Sequence, residues 1–231
     1  DLLPGEEKIK TYTKEAQDLF IHVRTQAKDP DLITQALKYE AYTALNLQEF
    51  DQVLSILGDQ VPVLFPIESL IAAAQQQKGE SKQAVLTLQS AIYQYTTVFL
   101  SFLTNYLQLV IDDPDKFSET VSRGKSFEKL FNFQEMHPVA LMNFQLSATF
   151  GYAQMEDETA ALEMLQEFVE VLQGTTFPVV LHGDDYFDQI DEWLEYLEIG
   201  NQLPRDSMKV KEGLLEMVIN NPTFAQLSLI H

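Results

Sequence analysis

Four histidines are the first candidates for catalysis or metal binding in this chain: His22, His137, His182 and His231. Histidine titrates near neutral pH and is the commonest metal ligand. None has a partner at the H-E-x-x-H helical spacing. His182 and Asp184 could form an acid–base or metal pair, but a loop histidine bonded to backbone accounts for the same residues. Asp184, Asp185, Asp188, Asp191 and Glu195 are spaced somewhat as in a calcium loop. Such a loop needs Gly at its sixth position and an oxygen ligand at its third, where this chain has Gln189 and Tyr186. The expectation is instead an acidic first turn of a helix, favoured by the helix dipole, with Tyr186, Phe187, Ile190, Trp193 and Leu194 as its apolar face. Arg123-Gly124-Lys125-Ser126 ends like a phosphate-binding loop, but the required earlier Gly is Glu119 and the stretch reads as helix. Glu163, Glu167 and Glu170 read as one solvated helix stripe. With no cysteine, thiolate nucleophiles, disulfides and Cys-ligated zinc are all excluded. These residues point to no enzyme, metal or cofactor.

Polar residues inside an otherwise apolar helix say more. Gln94, Tyr95, Asn105, Tyr106 and Gln108 stand where a structural helix would carry Leu or Ala. A buried polar group costs free energy unless hydrogen-bonded, so these side chains need partners. They either bond neighbouring helix ends and each other, or line a groove whose amides hold a peptide backbone while Tyr and Phe supply apolar contact. Asn143 and Gln145, on a later helix, could face the same groove.

The elements that must position these residues are helical from end to end. Apolar residues recur at three- and four-residue spacings from Lys8 to Gln26, from Asp31 to Leu45 and from Glu49 to Leu57. Glu80 to Val110 reads as one long helix, apolar nearly all round in its second half and so expected to be buried on several sides. Further helices are expected from Lys116 to about Phe131, from Val139, up to Leu172, from Asp184 through Tyr196, and after Leu203-Pro204-Arg205-Asp206. A pattern recurs within them: Ala41, Ala72 and Thr149 each stand twelve residues before Val53, Ala84 and Ala161, with Leu57, Leu88 and Leu165 four further on. A small residue on each helix lets a pair cross closely, and the larger residue fills the groove to the next pair. Copies lie 31 and then 77 residues apart, a degenerate form of the tetratricopeptide (TPR) period of about 34. The expected fold is all-α: one domain over 1–231, built of stacked antiparallel helix pairs in a TPR-like right-handed α-solenoid.

Charge narrows the partners. Fifteen Lys and Arg against 35 Asp and Glu give −20, and from Lys129 to Arg205 there are fourteen acids and no base. Such a surface repels nucleic acid and anionic membrane. No signal peptide or membrane span is read, so the expected location is the cytoplasm. The start at Asp1 rather than Met suggests a piece of something longer.

Several stretches carry a resemblance: Ile92 to Leu109, Leu181-His182-Gly183-Asp184-Asp185-Tyr186-Phe187-Asp188, Leu203-Pro204-Arg205-Asp206, and Asn220-Asn221-Pro222-Thr223-Phe224. Together they are similar to the C-terminal region of XRE-type helix-turn-helix transcriptional regulators from Gram-positive bacteria. The resemblance implies a regulatory domain that senses an effector, a peptide in some members of the family, and that forms a homodimer. It also implies that DNA is bound through an N-terminal helix-turn-helix domain absent from this chain. The competing expectation is a free-standing TPR-like adaptor for protein segments.

Overall fold

A computed structural model describes residues 4–197, 201 and 207–219. His231 and the segments Leu203–Asp206 and Asn220–Phe224 lie outside the described residues. Every regular element among the described residues is a helix: α1 (Pro4–Gln26), α2 (Pro30–Asn46), α3 (Phe50–Leu57), α4 (Ile67–Gln77), α5 (Ser81–Leu109), α6 (Pro114–Leu130), α7 (Phe133–Met136), α8 (Pro138–Gln154), α9 (Glu158–Gly174), α10 (Ile190–Glu195) and α11 (Ser207–Ile219). The fold is therefore all-α, as the periodicity predicts. Helix starts follow local chemistry. Asp29 and Asp113 each accept a backbone N–H of the first turn ahead of a Pro at the first helical position, which has no N–H to leave unpaired.

The chain divides into two compact units, Asp1–Phe65 and Pro66–His231. In the first, α1 packs on α2 and α2 on α3. Its interior is small and partly polar. Ala36, Ala41 and Ala44 are buried beside Gln17 and Glu40. Gln17 accepts from Lys14 at 2.5 Å and donates to Glu49 at 2.8 Å, while Glu40 pairs with Arg24 at 2.5 Å. Burial of these polar groups is tolerable because each has a partner.

In the second unit α4 packs on α5, α5 on α6 and α8, and α8 on α9. Phe117, Phe144 and Phe168 sit fully buried at its centre with Leu100, Leu107 and Leu141, each burial contributing about 1.5–3 kcal/mol. Two glycines set how closely α8 approaches α6. A Cβ on Gly124 would lie 2.0 Å from Phe144 Cζ, and one on Gly151 would lie 2.1 Å from Phe117 Cζ. Gly124 is thus a packing residue in mid-helix, not part of a phosphate loop. A smaller cluster gathers Tyr93, Met136, Phe187, Ile190 and Leu194.

The three copies of the repeated pattern are the hairpins α2–α3, α4–α5 and α8–α9, and they share one turn. Its middle residue, Gln48, Gly79 or Glu156, has φ of 62°, 81° or 61°. The residue after it, Glu49, Glu80 or Asp157, donates its N–H to the carbonyl five back, each at 2.9 Å. This is the left-handed helix stop with its six-to-one bond. Ala41, Ala72, Thr149, Ala84 and Ala161 are buried, as the crossing argument predicts.

Three expectations need correction. Leu57 and Leu88 are exposed at 52% and 40%, and only Leu165 is buried, so the groove-filling role holds at one copy of three. The second half of α5 buries one face, through Leu100 and Leu107, while Val98, Phe102, Tyr106 and Leu109 stay exposed. The helix expected from Asp184 to Tyr196 begins only at Ile190, because Asp184 ties the preceding backbone into a turn. No helix among the described residues is long and apolar enough to cross a membrane.

Candidate ligand groove

Asn105, Gln108 and Asn143 line one groove of about 570 Å³ between α5 and α8. Helical phase puts them there. Thr97, Ser101, Thr104 and Gln108 follow one another at spacings of three and four, so they share a face of α5 with Asn105 beside them. Asn143 stands between Ala140 and Ser147 on the facing side of α8. Leu146, Phe150 and Met217 supply apolar walls. An adjoining hollow of about 320 Å³ shares Gln108, Ser147 and Phe150 and runs on to Ile111 and Gln154. Among the described residues neither is lined by any Asp, Glu, Lys or Arg, in a chain of net charge −20.

Among the described residues, His137 is the one titratable side chain in the groove wall. It caps α8: its Nδ1 accepts from the Ala140 N–H at 3.3 Å. That bond requires an unprotonated Nδ1, so the neutral ring carries its proton on Nε2. Burial pushes its pKa below the ordinary histidine value. The neutral form also suits the helix start, where the dipole opposes positive charge.

The other four expected groove residues lie elsewhere. Gln94 is exposed and donates to the Ser90 carbonyl at 3.2 Å. Tyr95 donates to the Glu68 carboxylate at 3.1 Å, and Tyr106 is 41% exposed away from the groove lining. Gln145 is 3% exposed and points into the core, its Oε1 without a hydrogen-bond partner among the described residues. Residues two apart on a helix diverge by about 200°, so Asn143 and Gln145 cannot share one face, and Tyr106, two past Thr104, turns away from the stripe of Thr97, Ser101, Thr104 and Gln108. The residues missed in the sequence, Thr97, Ser101, Thr104 and Ser147, were legible as a hydroxyl stripe at helical spacing.

A second cavity, about 410 Å³ beside α6 and α9, carries both signs of charge on Lys125, Lys129 and Glu163. Glu167 pairs with Lys125 at 2.6 Å, so the acidic stripe of α9 is partly an inter-helix contact and not only a solvated face.

The acids of 184–195 serve the loop. Asp184 accepts from the Tyr186 and Phe187 N–H groups at 3.0 and 2.9 Å. Asp191 accepts from the Gly183 N–H at 2.6 Å. Gln89 bridges to Asp188 at 2.8 Å and to the Gln189 N–H at 2.9 Å. His182 Nδ1 lies 2.7 Å from the Gly183 carbonyl, a backbone contact and not a pair with Asp184. Among the described residues no three of His, Asp and Glu are placed to hold a metal ion.

No protein-family model, no curated protein and no solved structure matches this chain. Its functional reading therefore rests on the groove and on the residues that form it.

Proposed function

We propose that this chain is the effector-sensing and dimerisation domain of a transcriptional regulator, and that it holds a peptide segment in the α5–α8 groove. The observation that carries this reading is the set Asn105, Gln108 and Asn143, which face one groove with no charged side chain among its described lining. A side-chain amide both donates and accepts, so it can pair with the N–H and C=O of an extended backbone whatever the ligand's sequence. From Thr97 to Gln108 the groove wall spans about 16 Å of helix, enough for roughly five extended residues. Leu146, Phe150 and Met217 would receive the ligand's apolar side chains. A neutral lining in an anionic protein favours uncharged or basic peptides. Three hairpins with one turn geometry support a TPR-like arrangement, in which an effector shifts one helix pair against the next. DNA contact would belong to a helix-turn-helix domain outside this chain, and the site of action would be the cytoplasm.

Selection of phage-displayed random peptides on the chain tests the groove. A selected peptide is expected to lose about tenfold in affinity, roughly 1.4 kcal/mol, with each of Asn105→Ala and Asn143→Ala. Failure to enrich any peptide, or affinities unchanged in both variants, would sink the groove. The coding sequence upstream of Asp1 tests the regulatory assignment. A helix-turn-helix domain in frame is expected, and a start codon directly before Asp1 would overturn it.

A further inference from the structure

The cavity of about 410 Å³ beside α6 and α9 is built differently from the peptide groove. From α6 it takes Ser118, Ser122, Lys125 and Lys129, at spacings of four, three and four on one helix face. Glu163 and Met164 line it from α9, and Tyr152 reaches it from α8. Its volume falls at the small-molecule end of ligand sites, whose range is about 300–1,000 Å³. Three of its polar groups lack a close partner. The Tyr152 side chain is only 8% exposed, its ring edge-on to Phe117, yet its hydroxyl makes no hydrogen bond among the described residues. A buried tyrosine hydroxyl ordinarily finds a partner, and this side chain lines the cavity. Lys129 and Glu163 carry opposite charge and line the same space, but among the described residues neither enters an ion pair. Lys125 differs, because Glu167 holds it at 2.6 Å. That contact raises the Lys125 pKa against its partial burial, and Glu163 and Tyr152 add to the rise, which places both near its ammonium.

We propose that this cavity binds a free α-amino acid with an apolar side chain. Charge selects the class. Lys125 and Glu167 cancel one another, which leaves one cation, Lys129, and one anion, Glu163, in a site that is neutral but polarised. A ligand with only negative charge meets Glu163 and the field of a chain of net charge −20. A ligand with only positive charge meets Lys129 and Lys125. A zwitterion is neutral overall, so the field of the chain does not repel it, and each of its ends finds an opposite charge. The ligand carboxylate accepts from Lys129 and from the Tyr152 hydroxyl, and the ligand ammonium donates to Glu163. Val121, Ala160 and Met164 line the same space and receive the apolar side chain.

Isothermal titration calorimetry of the native chain with each proteinogenic L-amino acid tests this. At least one with an apolar side chain is expected to bind with Kd below about 1 mM. Its deaminated analogue, which keeps only the carboxylate, and its decarboxylated analogue, which keeps only the amine, should each bind at least roughly tenfold more weakly. Lys129→Met, Glu163→Gln and Tyr152→Phe should each lower the affinity of the amino acid by about as much. Their far-ultraviolet circular dichroism should match the native spectrum, since Lys129 and Glu163 are exposed and Phe keeps the ring of Tyr152. Glu170→Gln removes an exposed acid of α9 outside the cavity lining and should leave the affinity unchanged. The proposal is overturned when no amino acid binds in that range, or when binding survives both Lys129→Met and Glu163→Gln. An equal loss in Glu170→Gln overturns it too, by showing an effect of overall charge. Inorganic phosphate or the deaminated analogue binding as tightly as the amino acid overturns the zwitterion and makes the cavity an anion site. Asn105 and Asn143 lie outside this cavity, so the outcome is independent of whether the groove holds a peptide.

Discussion

At the scale of single residues, two polar side chains of α8 and its cap show how context decides a group's role. Gln145 buries an amide oxygen with no partner among the described residues, whereas Asn143, two positions earlier, turns the same chemistry to the groove. His137 couples pH to helix start. Its neutral Nδ1 caps α8, and burial lowers its pKa. The unfolded chain therefore takes up this proton at a higher pH than the folded chain does. The capping contribution is present in full above the ordinary histidine pKa of about 6.5 and is lost below it, as pH falls through the lowered folded-state pKa. Urea midpoints are expected to drop for the native chain as pH is taken from about 8 to about 5. His137→Asn, a cap that does not titrate, should drop less over the same range. Parallel curves for the two proteins would contradict the role assigned to His137.

At the scale of elements, the recurring unit is the turn as much as the helix pair. Each of the three hairpins reverses through a residue in the left-handed region and closes with the same 2.9 Å bond. Only the α4–α5 hairpin uses Gly there; the others place Gln48 and Glu156 in a conformation that disfavours a Cβ. Glu156 is exposed, so Glu156→Gly should relieve that strain without touching the core. It is expected to stabilise by about 0.5–1 kcal/mol in chemical denaturation, net of the freedom Gly adds to the unfolded chain. Gly79→Ala should destabilise by about as much. A destabilising Glu156→Gly would mean that the side chain holds the turn by some other contact.

For the whole molecule, the informative segment is 58–66. It is not helical and it joins the two compact units, with Val61 97% exposed and Val63 95%. Backbone without helical bonds or packed side chains is the first to be opened and cut. Limited digestion with a protease of broad apolar specificity is expected to cleave there first, leaving one fragment from each unit. First cleavage inside α5 or α8 would contradict the division. The net charge of −20 also acts at this scale, since it restricts where copies, peptides and nucleic acid can approach.

The sequence by itself determined that the chain is helical, where most helices begin and end, and which three hairpins repeat. Those features depend on interactions within a few residues: an Asp before a Pro, a three- and four-residue apolar rhythm, a small residue twelve before another. The amino acids also excluded cysteine chemistry outright. Only the tertiary structure decided that Asn105, Gln108 and Asn143 meet while Gln94, Tyr95, Tyr106 and Gln145 do not. Polarity marks a residue as needing a partner, but the phase of its helix against neighbours far along the chain chooses which partner it finds. The same reason explains α5. Its apolar rhythm was legible in the sequence, yet burial depends on what packs against each face, and the fold covers only the line through Leu100 and Leu107.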